Sequence, residues 1–263
     1  MPGFAVAHTC TRTGLRLVAV PSHALYRVGD RRFHPLSPPV RSAADKSPGR
    51  WDTVDGRTLY LGSTALAAFA EALPYGRENL PTVKLVDLFD DVDADDADAT
   101  LAAAVRGQAP APTVRNRLTR DWIGHRQLHE VTTTRAGWLV DIHAAATLNA
   151  INDAMAWTTT LAPAGHTVER LTLAELFGED RDLTMHIATW IRGLVLDDGS
   201  LPVGIRYASK RGDDLDVYAI WLAALDDGKS LSREIVRLSA SRDIDRSDPD
   251  LKQAANLVGL EVC

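Results

Sequence analysis

The apolar residues of this sequence come in short runs, each cut off by glycine, proline or a polar cluster. Strand-like and helix-like runs follow one another without regular alternation. The clearest case spans 58–73. Thr58-Leu59-Tyr60-Leu61 reads as a strand that stops at Gly62-Ser63, and TALAAFAEAL over 64–73 has high helix propensity until Pro74 ends it. Residues 15–28 form two short apolar runs split by Pro21-Ser22, and VKLVDLF over 83–89 predicts another strand. A helix is predicted over 144–157, and a second, amphipathic one over Leu183–Leu194. Gly204–Ser209 and Leu215–Leu222 alternate as strands around Lys210-Arg211-Gly212-Asp213, a β-hairpin signal. A doubly wound sheet needs strands and helices in strict alternation, so the pattern predicts an α+β fold.

The 263 residues suffice for one large domain or two small ones, and 45% hydrophobic with 24% charged residues is a globular balance. A chain of this length needs no metal or disulfide staple. Asp30 to Asp55 is rich in Pro, Ser, Gly and Arg and reads as an irregular loop. The acidic tract Asp90–Asp98 and the polar stretch 104–136, with Ala109-Pro110-Ala111-Pro112 inside it, read together as an insertion over 90–136. Twenty-nine Lys and Arg against 35 Asp and Glu give a net charge of -6, the wrong balance for a nucleic-acid binder. No apolar run approaches the ~20 residues of a bilayer span. The start, MPGFAVAHTCTRTG, has neither a basic region nor a continuous apolar stretch, so the expectation is a cytoplasmic protein with Cys10 and Cys263 as reduced thiols.

Most chemical motifs are missing. There is no phosphate-cradling Gly-rich loop, no GxSxG elbow and no CxxC. A calcium loop at Asp91-Val92-Asp93-Ala94-Asp95 fails, because Asp96 replaces the turn glycine and Ala102 the closing glutamate. His125 and His129 have metal-ligand spacing, but Arg126 stands where a zincin needs glutamate and no third ligand is suggested. The pair therefore reads as a surface feature, and no metal is expected. His143, His166 and His186 are isolated and read as structural.

The helix over 64–73 is more informative. Leu66, Phe69, Ala70 and Leu73 form one apolar stripe, and Glu71 stands on the far side among Thr64, Ala67 and Ala68. Two readings stand: an alanine-rich surface helix with a solvated Glu71, or a buried helix whose small face admits a substrate beside that carboxylate. Arg27 ends an apolar strand, and Arg50 follows Gly49, where the backbone can approach a ligand. Either guanidinium has the fork geometry for phosphate, or is a plain surface residue. Ile205, Tyr207 and Ser209 share one strand face by period two. Ser209 is a ligand contact or a turn-stabilising hydroxyl.

Together these segments resemble the RES domain family, named for its Arg, Glu and Ser. The resemblance runs through Leu25-Tyr26-Arg27, Gly49-Arg50-Trp51, Leu59-Tyr60-Leu61-Gly62-Ser63 leading to Glu71, and Gly204-Ile205-Arg206-Tyr207-Ala208-Ser209 followed by Tyr218-Ala219-Ile220-Trp221. The matching blocks lie in 23–73 and 183–222, and the segments between them extend a single domain over 1–263. Two departures stand out: 90–136 has no counterpart in compact members, and Tyr218 occupies a position where many relatives carry cysteine.

The resemblance implies a fold related to ADP-ribosyltransferases, with a split mixed or antiparallel β core and flanking helices. It implies an NAD-consuming enzyme that cleaves the nicotinamide–ribose bond by hydrolysis or phosphorolysis, as the toxin of a toxin–antitoxin pair. Arg27, Tyr60 and Glu71 would be catalytic, and Arg50, Ser209 and Tyr207 would hold the dinucleotide. NAD would be the substrate, a helix-turn-helix antitoxin of the Xre type the partner, and homo-oligomers are compatible with it. An ADP-ribosyltransferase with a protein or small-molecule acceptor is the alternative, and a non-catalytic binding protein on the same fold a further one. The residue chemistry agrees with the first reading: rupture of a glycosidic bond passes through an oxocarbenium-like cation that a carboxylate stabilises.

Overall fold

A computed structural model describes residues 7–40, 49–73, 117–155, 170–222 and 235–262. Nine strands form one mixed sheet: β1 (Ala7–Thr9), β2 (Arg16–Ala19), β3 (Leu25–Asp30), β4 (Arg57–Gly62), β6 (Arg126–Thr133), β7 (Trp138–Asp141), β8 (Gly204–Ser209), β9 (Gly212–Leu222) and β10 (Val236–Asp243). Their spatial order is β1-β2-β7-β8-β9-β4-β3-β6-β10; β7 and β8 run parallel, and every other neighbouring pair is antiparallel. The short strands β5 (Arg117–Leu118) and β11 (Glu261–Val262) pair in parallel beside it. The predicted α+β class is the one observed.

The sheet divides in the middle. β4 pairs with β9 along its whole length, but β3 and β4 share a single register pair, Tyr26 with Gly62. Beside that pair the Arg27 guanidinium donates through Nη1 to the Tyr60 carbonyl oxygen at 3.2 Å, a side chain serving a carbonyl where the ladder stops.

Helices cover one face in two groups. α3 (Ala145–Ala154), α4 (Leu173–Phe177) and α5 (Arg181–Arg192) bury Ile151, Leu176, Leu183 and Ile187 against Leu17, Val140, Ile205 and Val217. On the other half, α1 (Ala65–Ala72) and α6 (Pro249–Leu257) pack Phe69, Ala70, Leu251 and Ala254 with Leu128 and Val28. Period two sends alternate side chains, including Leu59, Leu61, Val131, Tyr218 and Ile220, into a third cluster on the opposite face. The short helix α2 (Arg120–Gly124) leads into β6.

Several sequence expectations hold in detail. α1 lies within the expected 64–73, with Thr64 as its cap rather than its first residue, the hydroxyl accepting from Ala67 N–H, and the helix ends before Pro74. α5 lies two residues earlier at each end than the predicted Leu183–Leu194, β8 has the predicted bounds, and β9 begins three residues earlier than expected, at Gly212. α3 ends at Ala154, and 156–157 lie outside the described residues. So do the strand expected over 83–89 and the acidic tract that follows.

Of the segment read as an insertion, 90–136, the part from Arg117 onward is described, and its strand β6 lies inside the sheet between β3 and β10. One expectation needs correction: His125 and His129 are not a surface pair. His125 follows α2, whereas His129 stands on β6 and is buried, with Nδ1 2.8 Å from the Ser241 hydroxyl.

Candidate functional site

The two helix groups leave a seam over the middle of the sheet, and a cleft of about 310 Å³ opens there. β4 and β8 supply its floor. Tyr60 and Tyr207 point to the same face because Tyr60 pairs with Ala219, Tyr207 with Val217, and those β9 residues are two apart. One wall is α1 with Glu71; the other is formed by Phe177, Glu179 and Arg181 at the junction of α4 and α5. Gly49-Arg50 and the hairpin residues Ala208, Lys210 and Arg211 close the remaining sides.

Of the six residues predicted from sequence, Arg50, Tyr60, Glu71 and Tyr207 line this cleft directly. Ser209 is buried beneath Glu71: its hydroxyl donates to Glu71 Oε1 at 2.6 Å and accepts from the Arg211 backbone N–H at 3.1 Å. The serine is therefore both of the things the sequence allowed, a turn-stabilising hydroxyl and a group at the site, and what it holds is the carboxylate. Arg27 borders an adjoining cavity of about 120 Å³ that also has Tyr60 and Glu71 in its lining. Its Nε is buried without a hydrogen-bond partner among the described residues, and burial lowers its pKa.

The readings of α1 combine. The helix is buried on Ala65, Ala67, Ala68, Phe69 and Ala70, so its small face is packed, yet Glu71 itself is exposed at the mouth of the cleft. Gly62 allows this approach. A Cβ there would meet Ala68 N at 2.5 Å, so only glycine lets β4 run this close under α1.

Tyr60 is fixed through its hydroxyl. It donates to Asp52 Oδ1 at 2.9 Å and accepts from Trp51 N–H at 2.9 Å, while Gly49 N–H donates to Asp52 Oδ2 at 2.7 Å. A Cβ on Gly49 would lie 2.4 Å from that hydroxyl oxygen, which explains the glycine before Arg50. The loop thus engages the phenol O–H and leaves the ring to line the cleft. Burial raises the pKa of both Tyr60 and Tyr207 well above the usual phenol value. The floor is consequently two neutral aromatic rings, suited to stacking.

Arg50 is more committed than its sequence context suggests. Its Nη1 donates to the carbonyls of Leu176 and, at 2.8 Å, Gly178, and its Nη2 donates to Phe177 at 3.3 Å. The guanidinium caps the C-terminus of α4, where unsatisfied carbonyls carry partial negative charge. Arg211 does the same for α1, donating from Nη2 to the Leu73 carbonyl at 3.1 Å.

Sequence reasoning missed Phe177, Glu179, Arg181, Lys210 and Arg211. Nothing in their local pattern separates them from ordinary surface positions; only the fold brings the α4–α5 junction to the hairpin turn. It also undervalued His143, which packs against Phe177 with ring centroids 4.8 Å apart and receives the Ala208 N–H on Nδ1 at 3.3 Å. His143 thereby supports two cleft residues from behind. His186 is exposed on α5, and His166 lies outside the described residues.

A larger cleft of about 550 Å³ lies on the opposite sheet face, bordered by Tyr218 and Arg206. Arg206 is neutralised there by Asp141 at 2.9 Å and Asp216 at 2.7 Å, and none of the six predicted residues reaches it. Tyr218, the departure from the family pattern, is buried on that far face with its pKa pushed up to about 12 by burial, and does not enter the central cleft.

Among the described residues no helix is long and apolar enough to cross a membrane. No protein-family model matches the sequence, and no curated protein matches it. Among solved structures, the chain is similar to one in the crystal structure of the M. tuberculosis MbcT–MbcA toxin–antitoxin complex. The two are 14% identical, the match covers 85% of this chain and 84% of that one, and the TM-score is 0.43.

Proposed function

We propose that the protein consumes NAD by breaking the bond between nicotinamide N1 and ribose C1′. The observation that carries this reading is Glu71: an exposed carboxylate, oriented by Ser209 at 2.6 Å, at the mouth of a cleft with an aromatic floor and cationic walls. As the C1′–N1 bond lengthens, its electron pair leaves with nicotinamide, and positive charge develops on the ribose ring. Glu71 stabilises that charge. Water or phosphate then attacks C1′, and with water the products are ADP-ribose, nicotinamide and a proton. The rings of Tyr60 and Tyr207 provide stacking surface for the nicotinamide riboside, and Arg27 faces the same region from the adjoining cavity.

A second reading keeps the bond cleavage and changes the acceptor. Because Glu71 is exposed at the rim, a side chain of another molecule can reach C1′ in place of water, making the protein an ADP-ribosyltransferase. In keeping with the resemblance to RES domains, either activity would be that of a cytoplasmic toxin, held inactive by a helix-turn-helix antitoxin that occludes the cleft.

The test is to incubate the protein with NAD, with and without phosphate, and to identify products by mass spectrometry. Nicotinamide release with free or phosphorylated ADP-ribose is expected, falling at least 100-fold in Glu71→Gln. Release that persists in the folded Glu71→Gln variant removes the carboxylate from the mechanism. No release from the wild type, without or with a candidate acceptor, removes both readings.

A further inference from the structure

The cleft holds four cationic side chains, Arg50, Arg181, Lys210 and Arg211, against two carboxylates, Glu71 and Glu179. An excess of two positive charges in about 310 Å³ is conspicuous in a chain whose net charge is -6. Like charges gathered this closely repel one another unless an anion lies between them. The four are not equivalent. Arg50 and Arg211 spend donors on the carbonyls that end α4 and α1, so their placement is explained by the fold. Arg181 makes no side-chain hydrogen bond or ion pair among the described residues, and Lys210 reaches only the Gly178 carbonyl at 3.5 Å, the limit of a hydrogen bond.

These two come from different elements, the first turn of α5 and the β8–β9 turn; both line the cleft, and Lys210 reaches toward the α4–α5 junction that carries Arg181. We infer that Arg181 and Lys210 form a diphosphate clamp, so that the cleft selects a nucleotide charged on its pyrophosphate over an uncharged nucleoside. The inference deepens the proposed reaction and rests on it for the identity of the substrate. It also reassigns the role that the resemblance implied for Arg50: that guanidinium builds the wall, and the two cations beside it face the ligand. The charges balance, since a pyrophosphate diester carries two negative charges. The like charges of Arg50 and Arg181 add to burial in lowering the Lys210 pKa, a repulsion that a bound anion relieves.

Binding and turnover test this separately. Calorimetry with inorganic pyrophosphate and with ADP-ribose is expected to show affinity 10- to 100-fold weaker in the Arg181→Ala/Lys210→Ala double variant. The charge-conserving Arg181→Lys and Lys210→Arg variants should each lose less affinity than the double variant, Arg181→Lys the more of the two, because an ammonium does not reproduce the guanidinium fork. Arg12→Ala/Arg135→Ala, which removes two exposed charges elsewhere, controls for net charge. In turnover, the advantage of NAD over nicotinamide riboside in kcat/KM should shrink by the same 10- to 100-fold in the Arg181→Ala/Lys210→Ala variant.

Unchanged binding in the folded Arg181→Ala/Lys210→Ala variant, equal weakening in Arg12→Ala/Arg135→Ala, or no measurable binding by the wild type overturns the clamp. If the wild type leaves NAD intact while pyrophosphate binding still depends on Arg181 and Lys210, the reaction is wrong and the clamp stands. If NAD is cleaved and the Arg181→Ala/Lys210→Ala variant binds as well as wild type, the reverse holds.

Discussion

On β6, His129 is 3% exposed, with Nδ1 2.8 Å from the Ser241 hydroxyl and Nε2 without a hydrogen-bond partner among the described residues. It stands directly opposite Arg27 in the β3–β6 register. Burial lowers its pKa first, with the positive charge of Arg27 and then His34 adding to the effect. His143, behind the cleft wall, is shifted the same way by burial. The sign follows from linkage. Both imidazoles take up a proton less readily in the folded protein than in the unfolded chain, which does so near pH ~6.5. Their contribution is therefore present above that value and lost as pH falls through the lower folded pKa. The carboxylates held low, among them Asp197 at about 2, lose their contribution only below pH ~4. Urea unfolding should show stability falling between pH 7 and pH 5, with a shallower fall in His129→Gln. An identical slope in that variant would remove His129 as a source of the pH dependence.

At the scale of elements, the β4–α1 unit carries Tyr60 and Glu71 on one short segment, and its geometry depends on Gly62. With Ala68 N at 2.5 Å and Ala67 Cβ at 3.0 Å from a Cβ built there, Gly62→Ala must lift the helix off the strand, since backbone cannot rotate away. Overpacking of this kind costs about 1–3 kcal/mol. It also moves Glu71 relative to Ser209, so nicotinamide release should fall at least tenfold while Thr64→Ala, a lost cap worth about 1 kcal/mol, leaves it within twofold. Equal activity in Gly62→Ala and wild type would show that the strand–helix distance is not what positions the carboxylate.

This unit was legible in sequence because every local signal agreed: a strand ending in glycine, alanine-rich propensity and a terminating proline. The hairpin was legible for the same reason, and its period two placed Tyr207 and Ser209 together. β6 was hidden. Only Leu128, His129 and Val131 of its eight residues are buried, and its apolar residues Leu128 and Val131 do not alternate; its neighbour β10 alternates through Val236, Leu238 and Ala240, but that run is short and largely exposed. The roles of Arg50, Arg181 and Lys210 were illegible in a different way. What a guanidinium or ammonium does depends on which carbonyls and charges stand beside it, and those lie more than a hundred residues away in the case of Arg50.

For the molecule as a whole, two electrostatic fields oppose each other. The chain carries a net charge of -6 and repels a dianion at long range, while the cleft, four cations against two carboxylates, attracts one at short range. The two respond to salt with opposite sign. At 0.01 M the screening length is ~30 Å, and the dianion senses the whole protein; near 0.1 M it is ~10 Å, and only the cleft remains within reach. If net charge governed binding, added salt would relieve repulsion and tighten the complex. Contact attraction inside the cleft weakens with salt instead, because counterions compete for Arg181 and Lys210. The cleft sits in the seam between two helix groups, where its charges act at contact distance, so the local term should prevail. The Kd for ADP-ribose should rise several-fold between 20 and 300 mM NaCl and respond less in the Arg181→Ala/Lys210→Ala variant. A Kd that falls as salt is added would mean that the acidic surface, not the seam, sets the affinity.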